Sequence, residues 1–117
     1  MIQHNNEKGY VHVGTDVYVE IAGNAAANCF GVKGMAARSV RDGMYQLLRR
    51  ESMGKGVRVT FFADGAIAID LHIIVDHGVN LAALGSSIIS EVSYMVTKHT
   101  GTRVRAVNVY VDSMMVD

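Results

Sequence analysis

Between positions 56 and 80 the chain reads GVRVTFFADGAIAIDLHIIVDHGVN, and its apolar residues fall on every second place. Val57, Val59 and Phe61 form one such run; Ile67, Ile69, Leu71, Ile73 and Val75 form another. A period of two marks strands with one buried face, and Asp64-Gly65 between the runs predicts a hairpin. Both apolar sets have odd numbers, and directly opposed residues share a face of the sheet, so the loop must hold an odd number of residues. The loop Asp64-Gly65-Ala66 satisfies this. It pairs Ala63 with Ile67, Phe61 with Ile69 and Val59 with Leu71, and sets Thr60 opposite Asp70 and Arg58 opposite His72.

Elsewhere the spacing changes. Tyr10 to Val13 alternate as a short strand, and Thr15 with Asp16 predicts a helix start. Val17, Ile21, Ala25 and Cys29 recur every four residues, giving a helix over about 16–29 that Gly31 ends. GVKGMA reads as a turn or as a short extra strand near 32–36. Ser39 is placed to cap a second helix through Arg50, with Val40, Met44, Leu47 and Leu48 inward. Asn80 caps a third, whose stripe is Leu81, Leu84, Ile88, Val92, Met95 and His99, ending at Gly101. A last strand carries Val107, Val109 and Val111 on one face and Asn108, Tyr110 and Asp112 on the other. The strand–helix–strand order favours parallel neighbours joined by a crossover. The expected fold is α+β, a small mixed sheet with three helices packed on one face, in the order β-α-α-β-β-α-β. Residues 1–8 are expected to be a flexible arm before a single domain over 9–117.

Composition narrows the function classes. The 117 residues suit one domain, half of them are hydrophobic, and eleven basic side chains balance eleven acidic ones. No net field therefore draws the chain to nucleic acid or anionic lipid. One cysteine, Cys29, excludes an intramolecular disulfide, and MIQHNNEKG lacks the apolar core of a secretory signal. No apolar run is long enough for a membrane span, so a cytoplasmic protein without direct membrane insertion is expected. No proline interrupts the elements.

Candidate chemistry is sparse. Asp70, His72 and Asp76 share the even face of one strand and could be read as metal ligands, with His77 on the opposite parity. Asp70 and His72 would stand about 7 Å apart along the strand, and a divalent ion needs three or four protein ligands. The plainer reading is a cross-strand polar cluster of Arg58, Thr60, Asp70 and His72 on a solvated face. Cys29 ends an apolar stripe and reads as a small buried hydrophobe. Ser86, Ser87 and Ser90 lack a nucleophile elbow. Neither a catalytic residue nor a cofactor site is expected. The even face also gathers Phe62, Ile74 and Tyr110 beside Arg58, Asp70 and His72, an aromatic and aliphatic centre with a charged rim, as interfaces have. The expected occupant is another protein or a second copy of the chain.

A competing reading starts from GVKG. A G-x-x-G loop between two helices is how a KH domain grips nucleic-acid backbone. Residues 33 to 58 hold seven basic against two acidic side chains. Gly31, Lys33, Gly34, Arg38 and Arg41 would make that alternative contact to single-stranded nucleic acid.

Three stretches, GYVHVGTDVYVEIAGNAAANCFGVKGMA, KGVRVTFFADGAIAIDLHIIVDHGVNLAAL and TGTRVRAVNVYVDSM, together resemble the alkaline shock protein family of bacterial envelope stress response proteins. The most specific parts are Ala-Ile-Asp-Leu leading into His-Gly-Val-Asn, and the closing Val-Asn-Val-Tyr-Val. The resemblance implies a non-enzymatic cytoplasmic interaction protein linked to cell-envelope homeostasis. It also implies a protein partner, such as a small membrane-anchored protein that holds the chain near the membrane. It explains Gly31 and Gly34 without nucleic acid.

Overall fold

The structure, a computed structural model, describes residues 2–38, 45–47 and 56–116. Its elements in chain order are β1 (Ile2–Asn6), β2 (Gly9–Val13), α1 (Thr15–Ala27), β3 (Val32–Arg38), β4 (Tyr45–Leu47), β5 (Val57–Phe61), β6 (Ile67–Asp76), α2 (Leu81–Thr100) and β7 (Val104–Met115). β1 and β2 form a two-stranded antiparallel sheet, and the other five strands form a mixed one.

β6 organises the larger sheet. Its alternation places Ile67, Ile69, Leu71, Ile73 and Val75 at complete burial. β7 runs parallel to β6 along its whole length, as the strand–helix–strand order predicts. The other edge is shared: β5 pairs with 67–71 and β3 with 73–75, both antiparallel. His72 lies at the changeover, where its N–H donates to the Gly56 carbonyl at 2.7 Å. Gly56 takes a φ of +79° there.

Both helices cover the odd face. α1 lies against β5 and β3, and α2 against β7. From α1 come Tyr18, Val19, Ala22, Ala25 and Ala26; from α2 come Leu84, Ile88, Val92 and Val96. Asn80 caps α2 as expected, its side chain accepting the Ala83 N–H at 3.0 Å. Gly101 ends the helix at φ +74°, with its N–H returned to Thr97. Phe61 and Ile69 pack into the core while Thr60 and Asp70 point away, as the parity argument requires.

The structure corrects several expectations. In place of three helices on one sheet in the order β-α-α-β-β-α-β, the described residues hold two helices and two sheets. The helix expected from Ser39 to Arg50 falls largely outside the described residues, but Tyr45–Leu47 within it is strand β4, paired with β3. The reason is tertiary. Beyond His72 the buried backbone of β6 takes its partners from β3, the short strand expected near 32–36, and Tyr45–Leu47 in turn finds its partners on Ala36–Arg38 of β3. That pairing outweighs a weak helical period. Ile2–Asn6 is a strand where a loose arm is expected. Of the stripe expected on α1, Ala25 is buried and Ile21 and Cys29 pack against the core, but Val17 is exposed and Tyr18 is buried in its place. The helix starts after Gly14, with no side-chain cap from Thr15.

The hairpin register also shifts. Phe61 pairs with Ile67, Val59 with Ile69 and Arg58 with Asp70, two residues from the expected alignment. The three-residue loop is 63–65, closed by Phe62 N–H donating to Ala66 at 2.9 Å. Gly65 adopts φ +88°, the left-handed third position that such loops require. Asp64 accepts the Ala66 N–H at 3.1 Å, and the guanidinium groups of Arg103 and Arg105 reach its other oxygen at 2.9 and 3.0 Å. The Ala66 N–H above all, with Arg105 and Arg103 beside it, holds the Asp64 carboxyl below its ordinary value. A depressed carboxylate stabilises the fold above its unfolded pKa, and that contribution is lost as pH falls through the folded value. Asp64→Asn is therefore expected to lower the urea midpoint near neutrality and to match the parent in strong acid. A gap that persists unchanged in acid would assign the effect to packing instead.

Candidate interaction surface

With both helices on the odd face, the even face of the larger sheet presents side chains from β5, β6 and β7. Alternation along each strand fixes which residues these are. Tyr110, 47% exposed, stacks on the His72 ring with centroids 4.7 Å apart and planes 12° apart. The His72 Nδ1–H donates to Asp112 Oδ2 at 3.0 Å, and the Asp112 carboxylate is largely shielded. A bulge in β7 makes this contact. His72 registers with Tyr110 and Ile73 with Val111, but Ile74 registers with Ser113, so Asp112 is the extra residue. One step back, Asn108 Nδ2 donates to Asp70 Oδ1 at 2.9 Å. Arg58 registers with Asp70 on the other side and is exposed. A second bulge at Arg105 lets its guanidinium lie 4.0 Å from the Phe62 ring centroid.

The six residues expected to form a partner face thus divide. Tyr110, His72, Asp70 and Arg58 form a continuous strip across three strands. Phe62 sits at the hairpin end under Arg105, half-buried. Ile74 is only 8% exposed, so it is not open to a partner, and it stands outside the hydrophobic cluster beneath the helices. Asp76 lies apart from Asp70 and His72, in an ion pair with Lys33 at 3.2 Å. Among the described residues, no three His, Cys, Asp or Glu side chains converge. Cys29 is half-buried, and burial, with Glu91 nearby, pushes its thiol up from its ordinary value. The His72–Asp112 and Phe62–Arg105 contacts escape sequence reasoning because each depends on a bulge.

GVKG is not a loop between two helices. The chain leaves α1, turns through Gly31 at φ +100° and enters β3 directly. Gly31 accepts the Asp76 N–H at 2.8 Å, and a Cβ there would stand 3.0 Å from Val79. Packing therefore accounts for this glycine. Lys33, Gly34 and Arg38 lie along a paired strand, and Arg41 is outside the described residues. The geometry a KH contact needs is absent from this segment.

Comparison with known proteins identifies the family and the fold. Residues 3–116 match the model of the alkaline shock protein 23 family, described by a cell envelope-related function. The uncharacterized protein YloU of Bacillus subtilis (strain 168) is 32% identical over 116 residues, covering 98% of this chain and 96% of YloU. Spy1614 of Streptococcus pyogenes serotype M6, also uncharacterized, is 32% identical over 113 residues, covering 96% and 93%. Among solved structures, the MamM CTD in a manganese form superposes with a TM-score of 0.51 at 17% identity, over 86% of this chain and 99% of that one. A histidine-to-alanine variant of the same domain gives 0.51 at 16%, over 86% and 98%. These likenesses concern the fold. Among the described residues, no helix is long and apolar enough to cross a membrane. The sequence match across nearly the whole chain is decisive: this protein belongs to the alkaline shock protein 23 family, a family of cell envelope-related function.

Proposed function

We propose that the protein is a non-enzymatic cytoplasmic interaction module, and that the open face of its larger sheet docks a protein of the cell-envelope machinery. A membrane-anchored partner is the form that fits a chain without a spanning helix of its own among the described residues. The observation that carries this reading is the strip of Arg58, Asp70, His72 and Tyr110. Tyrosine and arginine supply much of the energy at protein interfaces. Here the tyrosine is held before any partner arrives: it stacks on His72, which Asp112 holds in turn. A side chain fixed in advance loses less rotamer entropy on binding.

The test is a pull-down from native lysate, with and without nuclease, comparing the parent with Tyr110→Ser. The parent should retain an envelope-fraction protein after nuclease treatment. Tyr110→Ser, at an exposed position, should lose it while keeping its melting temperature within a few degrees, the scale of surface substitutions. Partners that vanish with nuclease, or that Tyr110→Ser keeps in full, would contradict the reading.

A further inference from the structure

The outer edge of β7 has no strand beside it among the described residues; β6 alone pairs with β7. Residues 106–111, Ala-Val-Asn-Val-Tyr-Val, hold neither charge nor proline. Natural edge strands usually carry such guards, because unpaired N–H and C=O groups template pairing with another chain. Directly above this edge runs α2. Between them lies a groove of about 440 Å³, lined by Leu81, Gly85 and Ile89 from the helix and by Val107 and Val109 from the strand. Leu81 and Ile89 are 42% and 41% exposed, and a Cβ added at Gly85 would meet nothing within 4 Å.

We infer that this edge and groove are the contact between two copies of the chain, related by a twofold axis. Both components are self-complementary about the same level of the molecule. Four-residue spacing puts Leu81, Gly85 and Ile89 on one line of the helix, symmetric about Gly85. An antiparallel contact sets Gly85 against Gly85, and Leu81 of each copy beside Ile89 of the other. Glycine there lets the helices approach closely. In the strand, opposed residues must share a face, so paired numbers have an even sum, and the axis falls on Asn108 or Val109. Those residues line the same groove as Gly85, so one axis satisfies helix and strand together. Charge agrees with this direction. Arg105 precedes the uncharged run and Asp112 follows it, so antiparallel pairing brings the basic end of each strand toward the acidic end of the other. Parallel pairing would set like beside like.

The result is one continuous sheet. Its open faces join, and the two Tyr110 side chains lie close to the axis. The inference goes beyond the docking reading, and it is tested without a partner. Sedimentation equilibrium over a dilution series should give a mass near twice the 12.7 kDa chain. Gly85→Glu should leave the monomer folded, because the site is open and glycine is the poorer helix former. It should weaken dimerisation by at least about a hundredfold, because it places like charges face to face on the axis. Ile89→Glu should act in the same direction. Hydrogen exchange should show the amides of 106–111 protected in the parent and faster in both variants. A monomeric parent would overturn the inference, as would a dimer equally tight in Gly85→Glu, or exchange in 106–111 unchanged by either variant.

Discussion

Gly56→Ala is expected to destabilise the protein by roughly 2–6 kcal/mol, combining a left-handed backbone strain with forced overpacking. The backbone at Gly56 sits at φ +79°, and a Cβ there would stand 2.5 Å from the Ala36 carbonyl oxygen and 2.7 Å from that of His72. Both neighbours are backbone atoms of paired strands, so neither can rotate away. The position is where β6 exchanges one partner strand for another, and the Gly56 carbonyl takes the His72 N–H left between them. Thermal unfolding should show Tm lowered by more than about 10 °C, at several degrees per kcal/mol for a domain of this size. Gly65→Ala offers the comparison, since it shares the positive φ but has nothing within 4 Å of an added Cβ. It should cost only about 1–2 kcal/mol, the strain alone. Equal effects at the two glycines would show that crowding at the changeover is unimportant.

The second large effect lies at Tyr18. Its hydroxyl and that of Thr102 are 2.6 Å apart across 84 residues of sequence, and both side chains are buried. The ring meets Phe61 edge-on with centroids 5.9 Å apart. Tyr18 therefore ties α1 both to the hairpin and to the segment leading into β7. Tyr18→Ala should cost about 3–5 kcal/mol, as truncation of large buried aromatics does. Thr102→Val keeps the shape but strands the tyrosine hydroxyl, at about 1–3 kcal/mol. The double variant Tyr18→Phe with Thr102→Val removes both polar groups and should be less damaging than the sum of the two single changes. Strict additivity in denaturant unfolding would mean that the hydroxyls do not interact.

How far the sequence discloses these features depends on the range of the interaction involved. The odd length of the hairpin loop follows from the parity of Phe61 and Ile69, because a one-residue slip would turn the whole apolar face to water. A two-residue slip keeps every face, so parity could not choose between loops 63–65 and 64–66. Gly65 in the left-handed third position was the local signal that could have chosen. Asn80 and Gly101 were legible as caps because capping is local chemistry. β3 is legible only as the alternative of a short strand near 32–36, and β4 is not legible at all, because it forms by pairing with β3. The stripe on α1 holds at Ile21, Ala25 and Cys29 and fails at Val17, because Thr102, far along the chain, supplies a partner that lets the Tyr18 hydroxyl be buried. On the candidate surface, alternation brought Asp70, His72 and Tyr110 to one face. The bulges at Arg105 and Asp112 bound the regular stretch that pairs Asp70 with Asn108 and His72 with Tyr110, and nothing in the local pattern marks them.

The central claim is that a partner protein binds the open sheet face, and photo-crosslinking in living cells tests it most directly. A photoreactive residue at Tyr110 would report on that face, and one at the exposed Ser90 on the opposite, helical side. The account predicts, from position 110, a discrete crosslink to a protein other than a second copy of this chain, recovered with the envelope fraction, and none from position 90. A crosslink from position 90 but not from 110, or adducts to nucleic acid from either, would contradict it.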